Sequence, residues 1–136
     1  MKIQLIAVFI LLISSLNAKD VVEDTTTSLL WQDAPINKDA LVTYKEAQNY
    51  CKFLTIGKYK DFRLPTMREL QTLVDYKNFD PAILNGFKHI ESTTYWTSTV
   101  FADDDSEYWT VDFEKGSRSV KATYYDRHFR CVQKLK

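Results

Sequence analysis

Two cysteines, Cys51 and Cys131, have the most specific chemistry that this sequence offers. In an oxidising compartment, an even pair of cysteines predicts a disulfide bond. A zinc site is one alternative, but the two histidines, His89 and His128, do not complete the ligand spacing of such sites. A catalytic thiol is the other, and the neighbouring sequence supplies no activating base for one. We therefore predict a disulfide between Cys51 and Cys131.

An acidic cluster, Asp103-Asp104-Asp105 followed by Glu107, offers several oxygen ligands of the kind that calcium prefers. The segment lacks the glycine and the regular ligand spacing of an EF-hand loop, so a solvated loop between strands is the favoured interpretation. We predict no cofactor and no metal site, with calcium as the less favoured alternative. The three aspartates remain candidate ligand-binding residues.

Aromatic side chains are abundant, with three tryptophans, eight tyrosines and eight phenylalanines. Exposed rings suit sugar binding because a ring face matches the C–H face of a pyranose, whereas most large aromatics in a small domain fill the core. The core interpretation is favoured for Trp109, Val111 and Phe113, which have strand spacing. Trp96 remains a candidate for stacking on a ligand.

Basic residues crowd the C-terminal part of the chain and could face an anionic glycan: Arg118, Lys121, Arg127, Arg130, Lys134 and Lys136. Some lie at odd and some at even positions of the predicted strands. Because successive side chains point to opposite faces, these residues do not define one face. A solvated rim is the favoured interpretation. Arg118 and Arg127 complete the set of candidate ligand-binding residues.

Catalysis finds little support in the sequence. His128 could form a triad with Ser98 or Ser119 and an aspartate, but any chain of this length offers such a triplet. Neither Gly-x-Ser-x-Gly nor His-Glu-x-x-His occurs. With three glycines in the chain, a glycine-rich phosphate-binding loop is not expected. We predict a protein that is not an enzyme and has no catalytic residues.

The first 18 residues have the features of a secretory signal peptide. Lys2 precedes an apolar run over residues 3–13 that only Gln4 interrupts, and Ala18 suits the position before a cleavage site. The run is shorter than the ~20 residues that a bilayer-spanning helix needs. No cysteine follows it for lipid attachment. We predict an exported protein, periplasmic or secreted, without a transmembrane anchor.

Cleavage there would leave residues 19–136, a usual size for one domain. The chain has 18 basic and 18 acidic residues, so loss of Lys2 leaves a slight acidic excess. This balance argues against a nucleic-acid partner, which requires a basic footprint. Residues 19–28 are polar and rich in threonine and predict a flexible leader. The folded domain is therefore expected over residues 29–136.

The chain contains two predicted helices. Thr43 and Glu46 fit a capping box, and a stripe of residues with helical spacing follows: Ala47, Tyr50, Cys51 and Leu54. Thr66 and Glu69 repeat the capping pattern before a second stripe: Met67, Leu70, Leu73 and Val74.

Strand patterns flank and follow these helices. Residues 29–31 form a short apolar run, and alternation with a period of two begins near Tyr95 and resumes around Trp109. Residues 114–117 predict a hairpin turn, residues 118–123 a returning strand, and residues 129–133 a last strand that carries Cys131. Helices followed by antiparallel strands indicate the α+β class.

Six short segments occur in a characteristic order: Leu30-Trp31-Gln32-Asp33, Tyr50-Cys51-Lys52-Phe53-Leu54, Arg63-Leu64-Pro65-Thr66 with Glu69-Leu70, Tyr95-Trp96-Thr97-Ser98, Val111-Asp112-Phe113 and Arg130-Cys131-Val132. They resemble the C-terminal domain of Legionella collagen-like proteins, a bacterial extracytoplasmic family of largely unknown function. The resemblance covers residues 29–134. It implies a C-type-lectin-like fold, with two N-terminal helices on a twisted antiparallel sheet. In that fold a cysteine of the first helix pairs with one of the last strand, and Cys51 and Cys131 match this pairing.

The resemblance also implies an extracellular binding domain, because the namesake members are adhesins that bind sulfated glycosaminoglycans through trimers. This chain has no collagen-like repeat, so the resemblance does not carry trimerisation over, and the oligomeric state stays open. The Glu-Pro-Asn and Trp-Asn-Asp signatures of calcium-dependent sugar lectins are absent from the sequence. The formylglycine-generating enzymes look distantly similar, but their activity needs reactive cysteines.

Two functions follow from these observations. The first is an exported non-catalytic binding module for a glycan or for an envelope or extracellular protein. The alternative is a structural cell-envelope domain without a small-molecule ligand. An enzyme of formylglycine-generating-like fold is less favoured than either.

Overall fold

The computed structural model describes residues 20–136 and contains two three-stranded antiparallel sheets, three short helices and one disulfide. The predicted signal peptide, residues 1–18, lies outside the described residues. None of the helices within residues 20–136 is long and apolar enough to cross a membrane. The α+β class predicted from the sequence is confirmed, but the strands form two sheets rather than one.

The first sheet joins the two ends of the described chain. Its strands are β1 (Val21–Asp24), β2 (Leu29–Gln32) and β6 (Val132–Lys134), in the order β1-β2-β6. The flexible leader predicted for residues 19–28 is wrong for its central part, because Val21–Asp24 pairs along the whole of β2. A turn reverses the chain at Ser28, which has a φ of 59°. Val21 and Val22 favour a strand, whereas the polar residues around them favoured the interpretation as a leader.

Three helices follow β2. They are α1 (Pro35–Asp39), α2 (Tyr44–Phe53) and α3 (Met67–Gln71). Both predicted capping boxes are present, and the Thr43 and Thr66 hydroxyls accept hydrogen bonds from the amides three residues ahead. The sequence analysis missed α1, which is a little over one turn long and begins with a proline at its first position.

The helix faces follow the predicted stripes only in part. Ala47 and Cys51 of α2 are buried, but Tyr50 is 37% exposed and does not belong to the core face. The second of the two predicted helices, α3, ends at Gln71, sooner than its apolar stripe predicts. Leu73 is nevertheless fully buried, since it lies in the turns after the helix and packs beside Leu70.

The second sheet is a meander of β3 (Thr94–Phe101), β4 (Asp104–Asp112) and β5 (Arg118–Ala122), in that order. The alternating pattern predicted these strands, and their pairing is antiparallel. The turn from β4 to β5 requires Gly116, whose φ is 84°. A Cβ there would lie 2.5 Å from the side chain of Val74.

The disulfide between Cys51 and Cys131 is confirmed, with a Cα–Cα distance of 5.4 Å. It links the middle of α2 to the residue just before β6, whereas the sequence predicted Cys131 inside the strand. One core cluster surrounds this bridge and includes Trp96 and Phe129. A second cluster packs on the other side of β3 and is formed around Tyr95, Leu70 and Phe113.

Candidate functional site

Trp96 is a core residue and not a ligand-stacking residue. Its side chain is 0% exposed, and its Nε1 donates a hydrogen bond to the Val42 carbonyl at 3.0 Å. Its ring meets that of Tyr44 edge to face, with centroids 5.7 Å apart. The alternation along β3 places Tyr95 and Trp96 on opposite faces, and both are buried because a core cluster covers each face.

The three aspartates of the acidic cluster do not converge on one point. Phe101 pairs with Asp104, so Ala102 and Asp103 form a tight turn rather than a loop. The Asp104 carboxylate accepts hydrogen bonds from the amide and hydroxyl of Ser106, at 2.9 and 2.6 Å. Asp105 lines a cleft described below. Within residues 20–136, no group of three or more His, Cys, Asp or Glu side chains is placed to hold a metal ion.

The two arginines of the candidate set lie apart. Arg118 pairs with Val111, about 20 Å along β4 from Asp105. Arg127 pairs with Val42, and its guanidinium lies 5.3 Å from the ring centroid of Tyr125. The predicted site residues therefore do not form one site.

An open cleft of about 480 Å³ lies where the start of α2 meets β4 and the end of β5. We call it the tyrosine cleft, and its lining residues are Thr43, Tyr44, Lys45, Gln48, Asp105, Ser106, Tyr108, Thr123 and Tyr124. Of the sequence-predicted site residues, only Asp105 contributes to it. Its three rings come from α2, β4 and the turn after β5.

Backbone hydrogen bonds hold these three elements together. The Tyr44 amide, at the first residue of α2, donates to the Thr123 carbonyl at 3.2 Å. The Thr123 amide in turn donates to the Ser106 carbonyl at 3.0 Å. The capping box at Thr43 fixes where α2 begins, so it also fixes where Tyr44 enters the cleft.

Tyr44 and Tyr108 form the floor of the cleft. Their rings are stacked, with centroids 3.8 Å apart and an interplanar angle of 17°. Burial, followed by the neighbouring Tyr108 hydroxyl, raises the pKa of Tyr44 well above its ordinary value. The Tyr44 hydroxyl therefore stays protonated and can act as a hydrogen-bond donor as well as an acceptor.

Tyr124 forms an exposed wall of the cleft. Its side chain is 74% exposed, and its ring lies 4.7 Å from that of Tyr125, tilted by 35°. Arg127 lies over Tyr125 in turn. Tyrosine is enriched at binding surfaces because its ring is apolar while its hydroxyl can form hydrogen bonds.

Comparison with known families identifies the domain. The model of the Lcl C-terminal domain matches residues 20–133 of the 136-residue chain. The chain belongs to the Lcl C-terminal domain family. This match confirms the resemblance drawn from the six segments and also includes β1 in the domain. No curated protein matches the chain. The function of the Lcl C-terminal domain is unknown.

A buried ion pair in this Lcl C-terminal domain escaped the sequence analysis. Arg130 donates to an oxygen of Asp33 at 3.1 Å, and also to the carbonyls of Gln32 and His89. Asp33 accepts hydrogen bonds from the amides of Lys88 and His89, at 2.9 and 3.0 Å. Arg130, predicted to lie on a solvated rim, is 0% exposed.

The electrostatics of this pair follow from its burial. Burial would raise the pKa of Asp33, but hydrogen bonds from the Lys88 and His89 amides, together with the Arg130 guanidinium, hold it below its ordinary value. Burial lowers the pKa of Arg130, which nonetheless stays protonated because a guanidinium does not lose its proton in proteins. Arg130 and Asp33 therefore form a buried structural centre, at 0% and 2% exposure.

Asn37 extends this polar centre towards the disulfide. Its side chain accepts from the Ala34 amide at 2.8 Å and donates to Gln32 Oε1 at 2.8 Å and the Phe129 carbonyl at 3.0 Å. The Asn37 carbonyl accepts a hydrogen bond from the Tyr95 hydroxyl at 2.8 Å. The short helix α1 is thereby held to both core clusters.

Proposed function

We propose that this chain is an exported, non-catalytic binding module whose tyrosine cleft binds a glycan. The observation that carries the proposal is the tyrosine cleft itself, an open concavity in which the exposed Tyr124 ring adjoins hydrogen-bonding side chains from α2 and β4. Binding sites of this type combine an apolar surface with a few convergent polar groups.

The composition of the cleft suits a sugar. The ring of Tyr124 offers an apolar face for the C–H groups of a pyranose, and tyrosine loses little conformational entropy when a ligand contacts it. Lys45, Gln48 and Asp105 offer one cationic donor, one amide and one carboxylate for sugar hydroxyls. The capping box and the strand pairing preorganise this surface before a ligand arrives.

Export and the lectin-like fold belong to the same proposal. The signal-peptide features of residues 1–18 and the disulfide support an oxidising destination, the periplasm or the medium. A helix cysteine bonded to a cysteine beside the last strand supports the C-type-lectin-like assignment that the resemblance implies.

Binding of purified residues 19–136 to a glycan array, with calcium and with chelator, tests the proposal. We expect binding to a restricted set of glycans in both conditions. Tyr124→Ala should weaken that binding by about two- to twelvefold, because an aromatic contact contributes about 0.5–1.5 kcal/mol. Tyr124→Phe, which keeps the ring, should retain most of it.

Tyr76→Ala is the matched control, since Tyr76 is 75% exposed and lies outside the cleft. Equal losses in the Tyr76 and Tyr124 variants would contradict the assignment of the cleft. A folded protein that binds no glycan would contradict the function and favour the structural envelope role.

A further inference from the structure

Asn85 and Gly86 form an exposed turn in the loop that runs from α3 to β3. Asparagine is a chemically labile residue. A glycine after it leaves the next backbone nitrogen without a side chain that would hinder attack on the asparagine amide. A Cβ built on Gly86 would meet no atom within 4 Å, so the space beside this nitrogen is open. The turn therefore has the sequence and the surroundings that favour spontaneous deamidation.

The side-chain amide of Asn85 is free, in contrast to those of two other asparagines. The amide groups of Asn37 are held by hydrogen bonds in the core, and Asn78 donates to a backbone carbonyl at 2.9 Å. Asn49 lies inside α2, where helical hydrogen bonds fix the backbone. Within residues 20–136, no hydrogen bond holds the Asn85 side chain or the Gly86 amide. The Asn85 side chain can therefore rotate towards the nitrogen that follows it.

We propose that Asn85 is a site of spontaneous deamidation and that its isoaspartate product weakens the support of the buried pair Asp33–Arg130. The Gly86 nitrogen loses its proton and attacks Cγ of Asn85. A carbon–nitrogen bond forms there, the bond from Cγ to the side-chain nitrogen breaks, and that nitrogen leaves with the proton as ammonia. Water then opens the cyclic imide at one of its two carbonyls and returns a proton to the Gly86 nitrogen. The products are aspartate and isoaspartate, and water is the only co-reactant.

Isoaspartate lengthens a segment that is fixed on both sides. In this product the backbone passes through the former side chain of residue 85, which adds one carbon–carbon bond of about 1.5 Å. Before the turn, the Leu84 amide donates to the Leu73 carbonyl at 2.9 Å. After it, the Lys88 amide donates to the Asp33 carboxylate at 2.9 Å. The extra bond therefore falls between two anchored amides.

The second anchor supports the buried ion pair directly. The His89 amide donates to Asp33 at 3.0 Å, and the His89 carbonyl accepts a hydrogen bond from Arg130. The Phe87 ring lies under the Arg130 guanidinium, 5.0 Å from its carbon. Displacement of these groups removes hydrogen bonds from a buried charge, which is costly. Ordinary aspartate at residue 85 leaves the backbone length, and so these contacts, unchanged.

Peptide mapping of aged protein tests the deamidation. The purified protein is kept in buffers of increasing pH and then cleaved after lysine, which gives a peptide of residues 78–88. This peptide contains both Asn78 and Asn85, so mass spectrometry compares them in the same molecule. We expect Asn85 to convert several-fold faster than Asn78, and faster at higher pH because the Gly86 nitrogen must lose its proton. Equal conversion of the two asparagines, or none at Asn85, would overturn the assignment.

Thermal unfolding tests the effect on the buried pair. Aged protein, its isoaspartate content measured with an isoaspartyl methyltransferase, should melt at a lower temperature than fresh Asn85→Asp, which has the same charge on an unaltered backbone. Aged Asn85→Gln is the matched control, because its longer side chain closes the larger ring far more slowly, and its melting temperature should stay constant. Isoaspartate-containing protein that melts like Asn85→Asp would overturn the link to the ion pair. An equal decrease in aged Asn85→Gln would assign the loss of stability to another residue.

Discussion

At the scale of single residues, Asp33 and Arg130 form an ion pair in the interior of the domain. Both side chains are withdrawn from water. Asp33 accepts hydrogen bonds from two backbone amides and from Arg130, and the two terminal nitrogens of Arg130 donate hydrogen bonds, whereas its Nε has no partner within residues 20–136. Removing one member of a buried ion pair is costly because it leaves an uncompensated charge in the interior. This pair joins the turn after β2 to the segment just before Cys131.

We expect Asp33→Asn to lower the free energy of unfolding by about 3–5 kcal/mol. Asparagine has nearly the shape of aspartate but leaves the Arg130 guanidinium without its counter-charge. Urea unfolding followed by circular dichroism measures the change. Asp103→Asn, on the exposed turn, should change stability by less than about 0.5 kcal/mol. Equal stability of the two variants would refute the role given to the pair.

His128 makes stability depend on pH. Burial lowers its pKa, although the Glu91 carboxylate and the Asn37 carbonyl oppose the effect. Its ring stacks on Tyr95 at 5.3 Å, and its Nδ1 has no hydrogen-bond partner within residues 20–136. The folded protein thus holds this imidazole neutral at a pH where the unfolded chain protonates it.

The contribution of His128 to stability is therefore complete above its unfolded pKa of ~6.5 and is lost as the pH falls below that value. We expect the free energy of unfolding to decrease from pH ~8 to pH ~5. His128→Phe, which preserves stacking on Tyr95, should flatten this slope. A slope that is unchanged in the variant would show that other groups govern the acid side.

At the scale of elements, the disulfide joins two parts of the chain that local forces cannot bring together. Cys51 lies in the buried face of α2 and Cys131 just before β6, at a sequence separation of 80. Closing so long a loop restricts the unfolded chain strongly. The bridge therefore supports the contact between the first sheet and α2.

Cys51→Ala should lower the free energy of unfolding by about 2–5 kcal/mol, and Cys131→Ala should do the same. The double variant should be no less stable than either single variant, because one bond is lost in each case. Thermal unfolding monitored by circular dichroism compares the three. Strictly additive losses would show that the cysteines stabilise the fold through packing rather than through the bond.

At the scale of the whole molecule, the predicted export would bring the chain to an oxidising compartment, where a disulfide persists. We expect N-terminal sequencing of the protein recovered from the periplasm or the medium to begin near Lys19, since cleavage after Ala18 fits the signal-peptide pattern. An intact Met1 in the membrane fraction would contradict this prediction.

Several features of the fold were predictable because their causes are local. The capping boxes at Thr43 and Thr66 start helices through contacts three residues apart. The alternation around Trp109 specifies strands because side chains in a strand alternate between faces. The disulfide prediction followed from an even pair of cysteines in a chain whose first 18 residues predict a signal peptide.

The sequence by itself determined the family, the α+β class, the two main helices, the β3–β4–β5 meander and the disulfide. Only the tertiary structure decided which aromatic rings are available to a ligand. Trp96 is buried because a core cluster covers each face of β3, and Tyr124 is exposed because its turn lies beyond the strands. The spacing of apolar residues along the sequence indicates which side chains share a face. Whether that face is buried depends on which distant parts of the chain pack against it.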